Sequence, residues 1–267
     1  MKNWITIGLP SKGRLKDKSV AFFDDKGLKV LQNKKERNYF ATIENKPNIK
    51  IIYLHAKEII QRLGDGTLDV GISGLDLLNE SEKNLQDKIN IKQKLNFGEA
   101  NLVVAIPDDW IDVQTIADLE EVAFDIRSKR NARLRVATKY PNLTNNFLIS
   151  RGVTQYKLIP SLGATETYPF IGSSEIITDI TPTGKTLEDN NLRVLKDGLI
   201  LKSTACLFIA KKKAVSLQPF LNSLGWVKLH SHSTHSTHST HTATHWRHSR
   251  TSVFIVRFIC DHCFSCN

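Results

Sequence analysis

The segment best equipped for chemistry is Asp179-Ile180-Thr181-Pro182-Thr183-Gly184-Lys185-Thr186-Leu187. An apolar run, residues 176–180, precedes it, and a short helical pattern, residues 187–192, follows. A strand, a loop of small polar residues and a helix start together hold phosphate well, because backbone N–H groups and the helix dipole face the anion. Gly184 lets the backbone approach closely, Thr183 and Thr186 add hydroxyl donors, and Lys185 adds charge. A plain helix cap competes with this reading. Thr186-Leu187-Glu188-Asp189 fits a capping box, which would claim some of the same amides. The loop is not a Walker A motif, since that pattern needs glycine five positions before Gly184, where Asp179 stands.

Two further segments have the right residue types. In Leu9-Pro10-Ser11-Lys12-Gly13-Arg14-Leu15, Lys12 and Arg14 flank a glycine where a strand passes into a helix. Such a pair can stabilise a phosphate leaving group through charge-assisted bonds, or it can be a solvated basic turn. In residues 64–76 the glycines suit tight turns around a buried strand, with Ser73, Gly74 and Asp76 near the next helix start. Packing is the better reading of that segment taken alone. Arg37, near Tyr39, and Glu166, in Gly163-Ala164-Thr165-Glu166, have no interpretation singly.

The elements that must position these residues alternate. Residues 4–9, 49–54 and 68–72 read as strands; residues 16–26 and 56–63 read as helices, each stopped by glycine. A second series starts near Phe97: strands at 102–106, 133–138, 156–162 and 176–180, a helix from Thr115, and another that Thr144 would cap. Residues 199–210 read as one last strand. Strand–helix alternation argues for parallel sheets, so we expect an α/β fold of two lobes with a cleft between them. Ligands in such sheets bind at the carboxyl ends of strands. The expected division is lobe I at 1–95 with 189–229 returning to it, and lobe II at 96–188 carrying the phosphate loop.

Composition narrows the class. About 40% of residues are apolar, enough for a core, and the net charge is +10. Without residues 230–267, 34 basic and 26 acidic residues leave +8, so the excess belongs to the main body. That suits a polyanionic ligand, and nucleic acid equally well; the basic residues are scattered and no nucleic-acid module appears, so no nucleic-acid partner is expected. No signal-peptide core or membrane-length apolar window is present. Cys206, the one cysteine of the main body, argues for a reducing compartment, hence a cytoplasmic protein without a membrane partner. The tail differs: eight of nine histidines lie at or beyond His230, in a Ser-Thr-His cycle. It has too little apolar surface to offset ordering entropy, and Cys260, His262, Cys263 and Cys266 crowd together too closely for the usual paired zinc knuckles. We expect a low-complexity tail and no protein metal site.

Taken together the segments resemble the ATP phosphoribosyltransferase family. The matching pieces run in family order: residues 9–15, 71–76, 136–144, 162–166, 179–187 and 197–205. The likeness covers roughly residues 3–213, and the Ser-Lys-Gly-Arg and Gly-Ala-Thr-Glu forms are most similar to the alphaproteobacterial type of the short branch. The resemblance implies a periplasmic-binding-protein-like (type II) fold, crossed twice between lobes, with the active site in the interlobe cleft. It implies attack of N1 of the ATP adenine on C1 of phosphoribosyl pyrophosphate, the first step of histidine synthesis, with substrate-associated Mg2+. Asp179 would then face the ribose hydroxyls, and Thr183, Gly184, Lys185 and Thr186 would hold the 5-phosphate. Lys12 and Arg14 would face the pyrophosphate, Arg37 would stand near ATP, and Glu166, Ser73 and Gly74 would line the cleft. His55 stands where many short-form relatives have arginine; the alphaproteobacterial type also lacks that arginine. The expected partners are further copies of the chain and a regulatory subunit related to histidyl-tRNA synthetase. Another phosphoribosyltransferase, or a two-lobed binding protein without catalysis, is the alternative.

Overall fold

The computed structural model describes residues 4–32 and 39–225. Arg37 and the expected low-complexity tail, 230–267, lie outside the described residues.

The first half runs β1 (Ile5–Pro10), α1 (Gly13–Asp25), β2 (Val30–Gln32), β3 (Phe40–Ile43), β4 (Lys46–Leu54), α2 (Ala56–Asp65), β5 (Val70–Gly74), α3 (Leu75–Glu80), α4 (Lys83–Gln86) and β6 (Ile89–Lys94). The second half runs β7 (Ala100–Pro107), α5 (Ile116–Arg130), β8 (Leu134–Thr138), α6 (Pro141–Ser150), β9 (Tyr156–Pro160), β10 (Ile176–Thr181), α7 (Lys185–Glu188), β11 (Leu192–Ser203), β12 (Ala205–Ala210) and α8 (Gln218–Ser223). These strands build two sheets, ordered β2-β3-β4-β1-β5-β12-β6 and β11-β7-β10-β8-β9. Part of each is parallel: β4, β1 and β5 at the centre of the first, and β10, β8 and β9 along one side of the second. The expected α/β class therefore holds, with antiparallel strands added at the margins.

Burial explains the layering. In β12 all six residues are buried, and the period of two sends them to opposite faces of the sheet. Leu207 and Ile209 join Phe23 of α1 and Leu221 of α8. Cys206 and Phe208 join Ile59, Ile60 and Leu63 of α2. The second sheet repeats the plan, with Ile116, Leu119 and Ala123 of α5 packed on Val104, Val136 and Ile176. Helix α5 starts where Thr115 and Asp118 form a reciprocal capping box, and ends at Asn131 in the left-handed conformation.

Three sequence expectations change. Residues 199–210 are not one strand: they divide at Thr204, with β11 in the second sheet and β12 in the first. Leu192 and Leu195 are buried against the second sheet, so the return to the first sheet starts at Ala205 rather than at residue 189. Thr144 does not cap α6. The helix starts three residues earlier at Pro141, which suits a first-turn position because its missing N–H costs nothing there. The short strands β2 and β3, too brief to show a period, were not legible.

The chain crosses between the sheets twice, and the crossings hold each other. Leu95 N–H donates to Ala205 O at 2.8 Å, and Ala205 N–H donates to Phe97 O at 3.1 Å. Thr204 Oγ1 donates to Leu95 O and Phe97 O at 2.8 and 2.9 Å. This ladder forms one wall of the cleft between the sheets.

Candidate active site

Arg14 in the first turn of α1, Gly74 and Asp76 at the start of α3, the first crossing, Tyr140, and Ile180 with Pro182 at the end of β10 line one cleft of about 510 Å³. It lies at carboxyl ends of parallel strands, where open sheets bind ligands. A recess of about 520 Å³ bordered by Trp110, Arg135 and Phe170 lies at the opposite, amino-terminal ends of β8 and β10. There Arg135 is committed to Glu175, with its NH2 at 2.7 Å from Oε1. We therefore place the chemistry in the first cleft.

The loop after β10 is built to leave groups facing outward. Thr181 Oγ1 accepts from Gly184 N–H at 2.9 Å and closes the turn. Gly184 sits at φ +82°, ψ −13° and starts α7 without a side-chain cap. The competing capping box at Thr186 is not formed, because the helix begins at Lys185 and Thr186 lies inside it. Thr183, Lys185 and Thr186 are exposed around that turn.

Asp179 stands just before the loop with its side chain 14% exposed. Burial pushes its carboxyl above the usual carboxylate range; the Ile180 N–H, Lys139 and the Thr165 hydroxyl pull it back, while the charge of Glu166 adds to the rise. Lys139 Nζ lies 4.0 Å away. Glu166 reaches this point on a short 3-10 turn, Thr165–Thr167, entered through Ala164 at φ +43°. Thr165, fully buried, is held by the Ser161 hydroxyl at 2.9 Å. Asp179 and Glu166, 13 positions apart in sequence, are thus electrostatic neighbours.

The expected residues divide by location. Arg14 and Gly74 line the cleft, and Asp179 and the 183–186 turn flank its Pro182 end. Lys12 is exposed at the N-cap of α1 and does not line the cleft. Ser73 is fully buried and donates its hydroxyl to Ala56 O at 2.8 Å. That moves Ser73 from the expected substrate contacts to the packing between β5 and α2. His55 caps α2, its Nδ1 accepting from Lys57 N–H at 3.3 Å, and is exposed.

Sequence reasoning named Asp76 and Thr144 but gave no role to the buried polar contacts they make. Asp76 Oδ2 accepts from the Tyr140 hydroxyl at 2.9 Å, Oδ1 accepts from the Ser203 hydroxyl at 2.6 Å, and the Asp76 N–H donates to Ser203 Oγ at 3.1 Å. Burial, then the charge of Asp76, pushes the Tyr140 phenol far above its usual range, so it serves as a donor. Thr138, Thr144 and Thr178 share a buried hydroxyl ring with contacts of 2.6 to 3.2 Å. The available signal was Asp76 itself, an acid set among Leu75, Leu77 and Leu78. Gly74 makes room for it: a Cβ there would meet Asp76 Oδ1 at 2.3 Å.

A family profile described as ATP phosphoribosyltransferase matches residues 55–224. Over 213 residues the chain is 45% identical to an ATP phosphoribosyltransferase of Brucella melitensis, covering 79% of this chain and 92% of that relative. It is also 45% identical over 209 residues to the Brucella anthropi ATP phosphoribosyltransferase, covering 78% and 90%. Among solved structures it is similar to the ATP phosphoribosyl transferase (HisG:HisZ) complex from Thermotoga maritima, with a TM-score of 0.63, 24% identity, and coverage of 83% of this chain and 96% of that one. A probable amino-acid ABC transporter extracellular-binding protein of Bacillus subtilis aligns at TM-score 0.50 and 12% identity over 84% and 89%. These last two likenesses concern the fold, which is the two-lobed periplasmic-binding-protein type expected from the sequence. With its motifs in order along a matching fold and 45% identity to a Brucella enzyme over 213 residues, the chain belongs to the ATP phosphoribosyltransferase family, in its short form.

Proposed function

We propose that this chain joins N1 of the ATP adenine to C1 of phosphoribosyl pyrophosphate, releasing pyrophosphate and giving phosphoribosyl-ATP, the first step of histidine synthesis. The observation that carries this reading is the meeting of Arg14, the Gly74–Asp76 turn and the Pro182 end of the phosphate loop around one cleft, in a chain of this family. N1 supplies its own lone pair. As the C1–N1 bond forms, the C1–O bond breaks and its electron pair leaves with pyrophosphate. No strong general base is needed, so the protein contributes position and charge. The 183–186 turn holds the 5-phosphate through hydroxyls, Lys185 and backbone N–H groups. Asp179 accepts from the ribose hydroxyls. Arg14 faces the leaving pyrophosphate across the cleft, with Lys12 nearby on the same turn; the role of Arg37 at ATP rests on the family resemblance alone.

Magnesium belongs to the substrate in this reading. Among the described residues no group of three or more His, Cys, Asp or Glu gathers as a metal site. Asp179 and Glu166, whose charges oppose each other, are the pair that fits a cation already held by phosphates, since Mg2+ commonly takes one or two carboxylates plus substrate oxygens. The ion would neutralise pyrophosphate charge.

The partners follow the same reading: further copies of this chain and a regulatory subunit. The Thermotoga maritima relative is itself a HisG:HisZ complex, which supports a separate regulatory chain. No helix among the described residues is long and apolar enough to cross a membrane, and a cytoplasmic setting suits a biosynthetic reaction on ATP.

The test is an absorbance assay for phosphoribosyl-ATP with ATP, phosphoribosyl pyrophosphate and magnesium, run with and without the regulatory subunit. Product that depends on both substrates supports the reading. Substrate binding without pyrophosphate release under either condition would make the chain a two-lobed binding protein.

A further inference from the structure

Beside the cleft, the two lobes are fastened by buried charge. Glu80, the last residue of α3, is 8% exposed. Its two carboxylate oxygens accept from the first turn of α6 on the other lobe: Asn142 N–H to Oε1 and Leu143 N–H to Oε2, each at 2.9 Å. Asn142 Nδ2 also donates to Glu80 O at 2.8 Å. A helix start presents free N–H groups and partial positive charge, so a carboxylate there makes a strong, directional contact. One turn earlier on α3, Asp76 accepts from Tyr140. Residues four apart share a helix face, so Asp76 and Glu80 grip residues 140–143 together.

The grip leads to the reacting groups on both sides. On the second lobe, Thr144 lies in the turn that Glu80 holds and contacts the Thr178 hydroxyl at 2.7 Å, next to Asp179. Tyr140 N–H donates to Thr138 Oγ1 at 2.9 Å, and Thr178 donates to the same atom at 2.6 Å. On the first lobe, α3 opens at Gly74, which borders the cleft together with Arg14. A continuous set of contacts thus joins α3, which borders the cleft opposite the loop as Arg14 does, to Thr178, the neighbour of Asp179.

We propose that Glu80, acting with Asp76 and Tyr140, is an interlobe latch that positions Asp179 and the phosphoribosyl loop against the Arg14 side of the cleft. Glu80 is a positioning residue and touches no substrate. The inference rests on the transferase reading, in which catalysis is alignment across the cleft. A displacement of about 1 Å between aligned groups costs on the order of a hundredfold in rate.

The experiment compares Glu80→Gln, Tyr140→Phe and the double variant in the full chain. It measures kcat, affinity for ribose 5-phosphate, which lacks the pyrophosphate that Arg14 faces, and Tm. The phosphoribosyl loop lies wholly on the second lobe, so that affinity should stay at the parent level and Tm should fall only by the few degrees that a lost buried hydrogen bond costs, while kcat falls by about 10- to 100-fold. The double variant should be no slower than the slower single, because either change releases the same joint. Parent-level kcat in the folded variants overturns the proposal. So does a loss of binary affinity in parallel with kcat, which is what a general loosening of the second lobe would give. Should Glu80→Gln not fold, Tyr140→Phe decides by itself. A parent chain that binds both substrates yet makes no product refutes the transferase reading rather than the latch, which is then read from ATP affinity in the ternary complex: weaker binding in the variants supports it, and unchanged binding overturns it.

Discussion

Gly184→Ala isolates what the phosphate turn needs from its backbone. Gly184 holds φ +82°, ψ −13°, and a Cβ built there meets nothing within 4 Å. The substitution therefore introduces no collision, only the strain of a left-handed L-residue, about 1–2 kcal/mol. Where that strain shows depends on when the turn forms. A turn already formed in the free protein puts the strain into folding, lowering Tm by about 2–8 °C for a domain of this size. A turn that forms around the phosphate puts it into binding, weakening phosphoribosyl pyrophosphate by roughly 5- to 30-fold. Calorimetric titration of phosphoribosyl pyrophosphate and a thermal melt on the same sample read both shares, which together should recover the strain. Gly184→Asn should recover much of the loss, because asparagine tolerates this region better than alanine. Gly163→Ala is the control: Gly163 is not among the positive-φ glycines and its added Cβ also meets open space, so neither quantity should move. Gly184→Ala with parent affinity and parent Tm would refute the reasoning, and so would a loss that Asn deepens.

Two other expectations concern the groups behind the turn. Asp179 titrates above the usual carboxylate range because it is buried, so phosphoribosyl pyrophosphate affinity should fall as pH drops through that raised pKa. Lys139→Met should move this acid limb to higher pH and Glu166→Gln to lower pH, since lysine favours the carboxylate and Glu166 opposes it; binding titrations across pH check both signs. The linkage runs the other way for stability: a carboxyl with a raised folded pKa contributes stability at low pH that is lost as pH rises through that value. Asp179→Asn should therefore melt higher than the parent at neutral pH while losing substrate affinity. Thr178→Val removes contacts of 2.6 and 2.7 Å from the buried hydroxyl ring, a loss of about 2 kcal/mol at roughly 1 kcal/mol each. Thr144→Val with Thr178→Val should cost less than the sum of the singles, because each single change leaves an orphaned hydroxyl; urea melts of the cycle decide, and strict additivity would sink the argument.

Local patterns determined much of this protein. Alternating apolar runs and glycine stops marked most strands and helices, because the period of two and the period of 3.6 are properties of the chain itself. The candidate phosphate loop stood out in the sequence for a similar reason: Asp179, Gly184 and Lys185 lie within seven consecutive residues, so one strand-to-helix turn gathers them. What joins distant segments was not written locally. Residues 199–210 look like a single strand, and only the two sheets competing for its halves divide it at Thr204. Ser73 looked available for substrate, and only the packing of α2 on β5 spends its hydroxyl on Ala56. The pairing of Asp76 with Tyr140, and of Glu80 with the start of α6, spans more than 60 positions in sequence. Such contacts carry no period or spacing, since they join residues of different lobes that only the folded double crossing brings edge to edge. The tertiary structure therefore decided how the cleft is held, while the sequence determined which residues stand ready to act in it.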